Sequence, residues 1–220
     1  MTTLHIPANE LTPAIKRVSP HASVPAQNVP ILETIRFTVK GEQVILSACD
    51  RYTICETRVR LLDRVDSPVE FLVNAKQLKA LLPAIKHGMV TVEVDPDDTA
   101  AGATFNGARV PGDEMERYPA TQNLWPDTFE EVAASNFAVS AAAVKKLTAL
   151  PQGRHESNIP LVFGQGKDAH ANKPFVVLFG EGTRVLVMPS RISTAEYPHA
   201  RYASWSVTLP PAEEDDSAAA

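Results

Sequence analysis

A strand, a short amphipathic helix and two or three further strands recur three times along this chain, with a period of roughly sixty residues. That repeat limits the fold more than any other feature. The first copy is "TLHIPA", the helical "ANELTPAIKRVSPHA" and "ILETIRFTVKGEQVILSACDRYTICETRVRL". Its last stretch alternates polar and apolar residues, and Lys40-Gly41-Glu42 reads as a hairpin turn. The second copy is "VEFLVN", "AKQLKALLPAIKHG", "VTVEVDPD", "GATFNG" and "ARVPGDEMERYP". The third is "SNFAVS", "AAAVKKLTALPQG", "IPLVFGQG", "KPFVVLFGE" and "TRVLVMPSRI". Asn74 and Ser140 stand where helix N-caps are wanted, and Pro83 should kink or shorten the second helix. Leu78, Leu81, Leu82 and Ile85 share one helical face, which must pack on strands. The expected class is α+β with antiparallel sheets.

The third copy ends oddly. Val185, Leu186 and Val187 suit a buried strand, yet the strand stops on Met188-Pro189, and proline marks a strand end or an edge. A core strand with a convenient stop explains the apolar residues; a groove wall that something else fills explains the proline as well.

Catalytic patterns are missing. There is no glycine-rich phosphate loop, no Ser-His-Asp elbow and no His/Cys ligand cluster, and the six histidines are scattered. Asp97-Asp98 and Asp215-Asp216 read as solvated acids of a turn and a tail. No enzyme, metal or cofactor is expected. Cys49 and Cys55 lie six apart in what reads as one strand, on one face, as small buried hydrophobes. With no long apolar run and no signal-peptide pattern, the expected location is the cytoplasm, away from membranes.

The net charge of −5 hides an uneven distribution. The helical segments 8–22, 74–88 and 140–155 carry eight cations, Lys16, Arg17, Lys76, Lys79, Lys86, Lys145, Lys146 and Arg154, against the single acid Glu10. Solvated lysines are normal on one amphipathic helix. Three such helices in an acidic chain describe a basic surface set against an acidic exterior. Without interleaved aromatics, that surface suits phosphate contact rather than base reading or single-strand stacking.

At this point the residues match a known family. "VPILETIRFTVKGEQVILSACDRYTICETRV" resembles the first half of a domain of the bacterial DNA polymerase sliding clamp, the β clamp. "LVNAKQLKALLPAIKHG" is similar to a second-half strand and helix, and "ERYPATQNLWP" to the segment closing a middle clamp domain. "FAVSAAAVKKLTAL" and "VLVMPSRI" look like a clamp's final half-domain, which typically closes on Val-Met-Pro-x-Arg. The match covers roughly residues 3–192; its most specific parts are the Asp50-Arg51-Tyr52 strand and the Met-Pro-x-Arg ending.

The resemblance implies a DNA-clamp fold of β-α-β-β-β half-domains, with helices lining an inner face and antiparallel sheets outside. It implies a homo-oligomeric ring around duplex DNA that tethers the replicative polymerase and other clamp-motif proteins and is served by a clamp loader, with the small size and the tail suggesting a phage or mobile-element clamp. The eight helix cations would face DNA. The partner cleft would have Asp50, Arg51, Tyr52, Thr53 and Ile54 on one wall. Leu186, Val187, Met188, Pro189, Ser190, Arg191 and Ile192 would form the other, with Leu124, Trp125 and Pro126 as a floor. The expected organisation is a complete domain over 1–122 (half-domains of about 1–64 and 65–122), a further half-domain over 123–192, and a largely disordered tail over 193–220. The tail stretch "RYASWSVTLPP" reads as an edge strand or linker, with occupation of a pocket as the sharper option. A bacterial clamp chain has six half-domains, so three per chain need about four copies to close a ring, or three copies if the tail adds strands. The competing expectation is a clamp-like decoy that captures clamp partners without encircling DNA.

Overall fold

The computed structural model describes residues 1–22, 29–131, 139–152, 156, 158–165 and 174–188. Arg154, Pro189, Ser190, Arg191, Ile192, the 193–220 tail and most of the "SNFAVS" strand lie outside the described residues. Strand β1 (Thr2–Pro7) leads into helix α1 (Ala8–Val18), and β2 (Thr34–Cys49) and β3 (Thr53–Asn74) form a long antiparallel ribbon. Helix α2 (Ala75–Leu81) follows, then β4 (Met89–Val94), β5 (Ala103–Phe105), β6 (Ala108–Val110) and the short β7 (Glu130–Glu131). Helix α3 (Ala141–Leu147) precedes β8 (Leu161–Gln165), β9 (Phe175–Phe179) and β10 (Thr183–Val187). The fold is α+β, as the periodicities require.

The strands form two sheets, one of four in the order β1-β4-β5-β6 and one of six in the order β2-β3-β10-β9-β8-β7. Every pairing is antiparallel. The main core lies between the sheets and under the helices, with Phe37 stacked on Phe71 at 4.9 Å and Phe105 against Phe37 edge-on. Leu11, Ile15 and Val18 of α1 and Leu78, Leu82 and Ile85 around α2 are buried in it, while Leu81 packs partly buried at its margin. The expected caps are made: Asn74 Oδ1 accepts from the Gln77 amide at 3.0 Å, and Ser140 Oγ from the Ala143 amide at 3.2 Å. Helix α2 stops at Leu81, two residues before Pro83, as the ring's missing donor and steric bulk demand.

The six-stranded sheet is covered on both faces where β3, β10 and β9 meet. Along β9, Phe175, Val177 and Phe179 enter the main core, while Val176 enters a second, smaller cluster with Leu178 packed against it. Along β10, Val185 and Val187 face the main core and Leu186 the small cluster. That explains the unbroken apolar runs of the third copy: both side-chain directions meet a hydrophobic layer.

Three readings of the sequence need correction. Lys40-Gly41-Glu42 is no hairpin turn; β2 runs straight through it, with register shifts on either side of Gly41, whose φ is 59°. The turn instead lies at Asp50–Tyr52, so the Asp50-Arg51-Tyr52 segment links two strands rather than forming one. Cys49 and Cys55 therefore sit on opposite strands, and they face opposite sides of the sheet: Cys49 joins the small cluster and Cys55 the main core. A side-chain capped turn without glycine leaves no strong turn signal, whereas a left-handed glycine inside a strand imitates one.

Candidate functional site

The turn that joins β2 to β3 is held by its first residue. Asp50 Oδ1 accepts from the backbone amides of Tyr52 at 3.2 Å and Thr53 at 2.9 Å, and from the Thr53 hydroxyl at 2.9 Å. Arg51 takes the left-handed conformation, with φ 77°, and this turns Tyr52 outward. The end of β10 lies alongside: Leu186 pairs with Ile54 and Val187 with Thr53, and the Met188 amide donates to the Tyr52 carbonyl at 2.8 Å.

Between these segments opens a cleft of about 250 Å³. Leu32, Cys49, Ile54 and Leu186 contribute buried apolar surface to it, and Tyr52, Met188 and Leu124 expose large hydrophobic side chains at its margin. Arg51, Thr53, Pro119 and Thr121 complete the lining. An apolar hollow with few polar groups suits a short segment with aliphatic or aromatic anchors.

The structure thus brings Arg51, Tyr52, Thr53, Ile54, Leu124, Leu186 and Met188 to one cleft. Four expected members fall outside the lining. Val187 is fully buried in the main core, because it alternates with Leu186 across the sheet. Trp125 packs against the small cluster but is not part of the lining; its Nε1 donates to Glu56 at 3.1 Å, and the Arg184 guanidinium lies 4.0 Å from its ring centre. Pro126 does not line the cleft either. Asp50 lies beneath the turn with a 7% exposed surface, and organises the wall rather than presenting itself in it. Leu32, Cys49, Pro119 and Thr121 were missed. The hairpin register would have given Cys49, since it pairs with Ile54, but only with the turn correctly located.

The helix cations divide into two groups. Lys16, Lys76, Lys79, Lys86 and Lys145 are exposed and make no ion pair among the described residues. Arg17 and Lys146 are committed internally. Arg17 pairs with Glu156, donates through Nε to the Leu150 carbonyl at 3.2 Å and lies over the Phe179 ring. Lys146 pairs with Asp50 Oδ2 and donates to the Thr53 hydroxyl at 3.2 Å. Burial pushes the Asp50 carboxyl up, but the Lys146 ammonium and the Thr53 donors outweigh it and hold the carboxyl below its usual value. His21, also buried, reaches the same hydroxyl through Nδ1 at 3.0 Å. Among the described residues, no group of His, Cys, Asp or Glu is arranged to hold a metal, and no helix is long and apolar enough to cross a membrane.

No family model matches the sequence, and no curated protein matches it. Solved structures do. A DNA polymerase sliding clamp from Caulobacter crescentus superposes with a TM-score of 0.66 at 12% identity, over 91% of this chain and 68% of that one. A putative DNA polymerase III beta subunit from Eubacterium rectale gives 0.67 at 12%, over 92% and 67%. The DNA polymerase III beta subunit of Thermotoga maritima gives 0.64 at 10%, over 90% and 66%. The chain spans about two thirds of the length of these clamp chains, and it has their fold.

Proposed function

With the sliding-clamp fold as premise, we propose that this chain is a reduced sliding clamp. In this reading it encircles duplex DNA as a homo-oligomeric ring and tethers a DNA polymerase through the cleft between the Asp50–Thr53 turn and the end of β10. The cleft is the observation that carries the proposal. It is apolar, open, rimmed by Tyr52 and Met188, and sized for a few anchoring side chains. A folded core leaves little reason to expose large hydrophobes around one hollow, and a partner segment supplies that reason. The exposed Lys16, Lys76, Lys79, Lys86 and Lys145 give the three helices the charge for sequence-independent phosphate contact.

Two variants test the proposal together. A pentapeptide with a leucine and a phenylalanine anchor should bind the wild-type protein in calorimetry. Met188→Asp should abolish that binding, because a carboxylate in an apolar cleft costs several kcal/mol unless it protonates. The same variant should retain duplex DNA. Neutralising Lys16, Lys76, Lys79 and Lys145 should do the reverse, keeping the peptide and flattening the salt dependence of duplex binding by about one log unit per lost phosphate contact. Peptide binding with no duplex binding at low salt would replace the ring by the decoy.

A further inference from the structure

Lys146 stands in the basic set of α3 by sequence, but its ammonium points into the protein. Its side chain is 17% exposed and that of its partner Asp50 is 10% exposed. Asp50 divides its two oxygens between tasks. Oδ1 collects three donors from Tyr52 and Thr53, and Oδ2 receives Lys146. We propose that Lys146 is a positioning residue for the cleft: acting through Asp50, it fixes the turn that presents Tyr52 and Ile54, and it makes no contact with DNA.

The argument follows from what the turn needs. Arg51 is held in a conformation that L-residues disfavour, so the turn keeps its shape only while other contacts over-determine it. The Asp50 carboxylate supplies those contacts, and a nearly buried carboxylate stays ionised only with a cation or water beside it. Without Lys146, Asp50 must protonate or rotate toward solvent, and either change weakens the three bonds made by Oδ1. The disturbance would not stop at the turn. Met188 hangs from the Tyr52 carbonyl, so both lips of the cleft would shift together. Neighbouring Lys145 is exposed and makes no ion pair among the described residues, which makes it the phosphate-facing member of the two.

This inference rests on the cleft's proposed role as a peptide site, and its test separates the two. Lys146→Met should weaken binding of the leucine/phenylalanine pentapeptide about tenfold or more at a temperature well below its melting point. Lys146→Arg should restore most of the affinity, and adding Asp50→Asn to Lys146→Met should cost little further, since the pair acts as a unit. Amide hydrogen exchange at Tyr52 and Thr53 should accelerate in Lys146→Met, while the salt slope of duplex binding stays at the wild-type value. Equal peptide affinity and equal exchange in wild type and Lys146→Met would overturn the inference and leave the cleft reading intact. A salt slope reduced by about one unit would also overturn it, by making Lys146 a phosphate contact. If the wild-type protein bound no peptide, the cleft reading would fall, and the exchange measurement alone would decide whether Lys146 holds the turn.

Discussion

At Thr53 the hydroxyl oxygen lies within 3.2 Å of groups from three other side chains: Asp50, His21 and Lys146. His21 is the member whose protonation matters most for stability. Burial, reinforced by the Lys146 charge and only partly opposed by Asp50, lowers its pKa to about 3, and its Nε2 has no hydrogen-bond partner among the described residues. Its folded pKa is therefore below the unfolded value near 6.5, so the unfolded chain binds more protons between the two. The stability tied to a neutral His21 is complete above pH 6.5 and is lost as pH falls toward 3. The Asp50 contribution, in contrast, is present above its unfolded pKa near 4 and is lost only below that. Urea unfolding should show a loss of about 2 kcal/mol between pH 7.5 and pH 5, and His21→Gln should remove most of that dependence. A wild-type stability that is flat over this range would mean that His21 is solvated or charged in the fold. The cysteines are quieter: burial raises both thiols, that of Cys55 to about 12, so neither is an activated nucleophile. Their burial was legible from their setting, but their faces were not, because the turn at Asp50–Tyr52 puts them on different strands and breaks the alternation counted between them.

Among the elements, the β2–β3 ribbon shows most clearly what sequence patterning reports and what it hides. Alternation identified both strands, and the repeat identified the three helices and the caps of the second and third. The bulge at Gly41 imitates a turn in the sequence, because glycine between charged residues carries the same signature in both settings. The conformations do differ in what they tolerate. Gly41 has φ 59° with nothing within 4 Å of an added Cβ, so a substitution there meets backbone strain and no clash. Gly41→Val should destabilise the protein by about 1–2 kcal/mol in denaturant unfolding, the cost of forcing a side chain into the left-handed region. An unchanged midpoint would mean the ribbon can shift register at no cost. The cleft was legible as two wall segments, since Asp50–Ile54 and Leu186–Met188 carry the family's pattern. Its floor was not, because Leu32, Pro119 and Thr121 arrive from connections whose course no periodicity fixes.

At the scale of the whole molecule, the sheet edges bear on how many copies act together. Both sheets end in strands that are unpaired along one side among the described residues, and the 16-residue β2 is the longest of these edges. Exposed edges of that length are usually covered, and a head-to-tail ring covers them in every copy by the same contact. Light scattering at tens of micromolar should give three or four times the 23.9 kDa chain mass. A monomer at that concentration would remove the ring and leave a single-copy binding protein. The charge layout supports the ring at this scale only, as five exposed lysines on three helices within an acidic chain. The eight helix cations also include Arg17 and Lys146, aimed at Glu156 and Asp50, and Arg154, which lies outside the described residues; no sequence pattern distinguishes a cation aimed at solvent from one aimed at an internal acid.

The pairing of β10 with β3 also sets an order of events during synthesis. Leu186 meets Ile54 across about 130 residues of intervening chain, a separation that makes such a contact one of the last to form. Until residues 183–188 have left the ribosome, the wall that carries Tyr52 has no opposite side. A chain cut short before that point lacks β10 and with it one wall of the cleft. Under the proposed function, a polymerase would therefore be engaged only by a chain translated through β10.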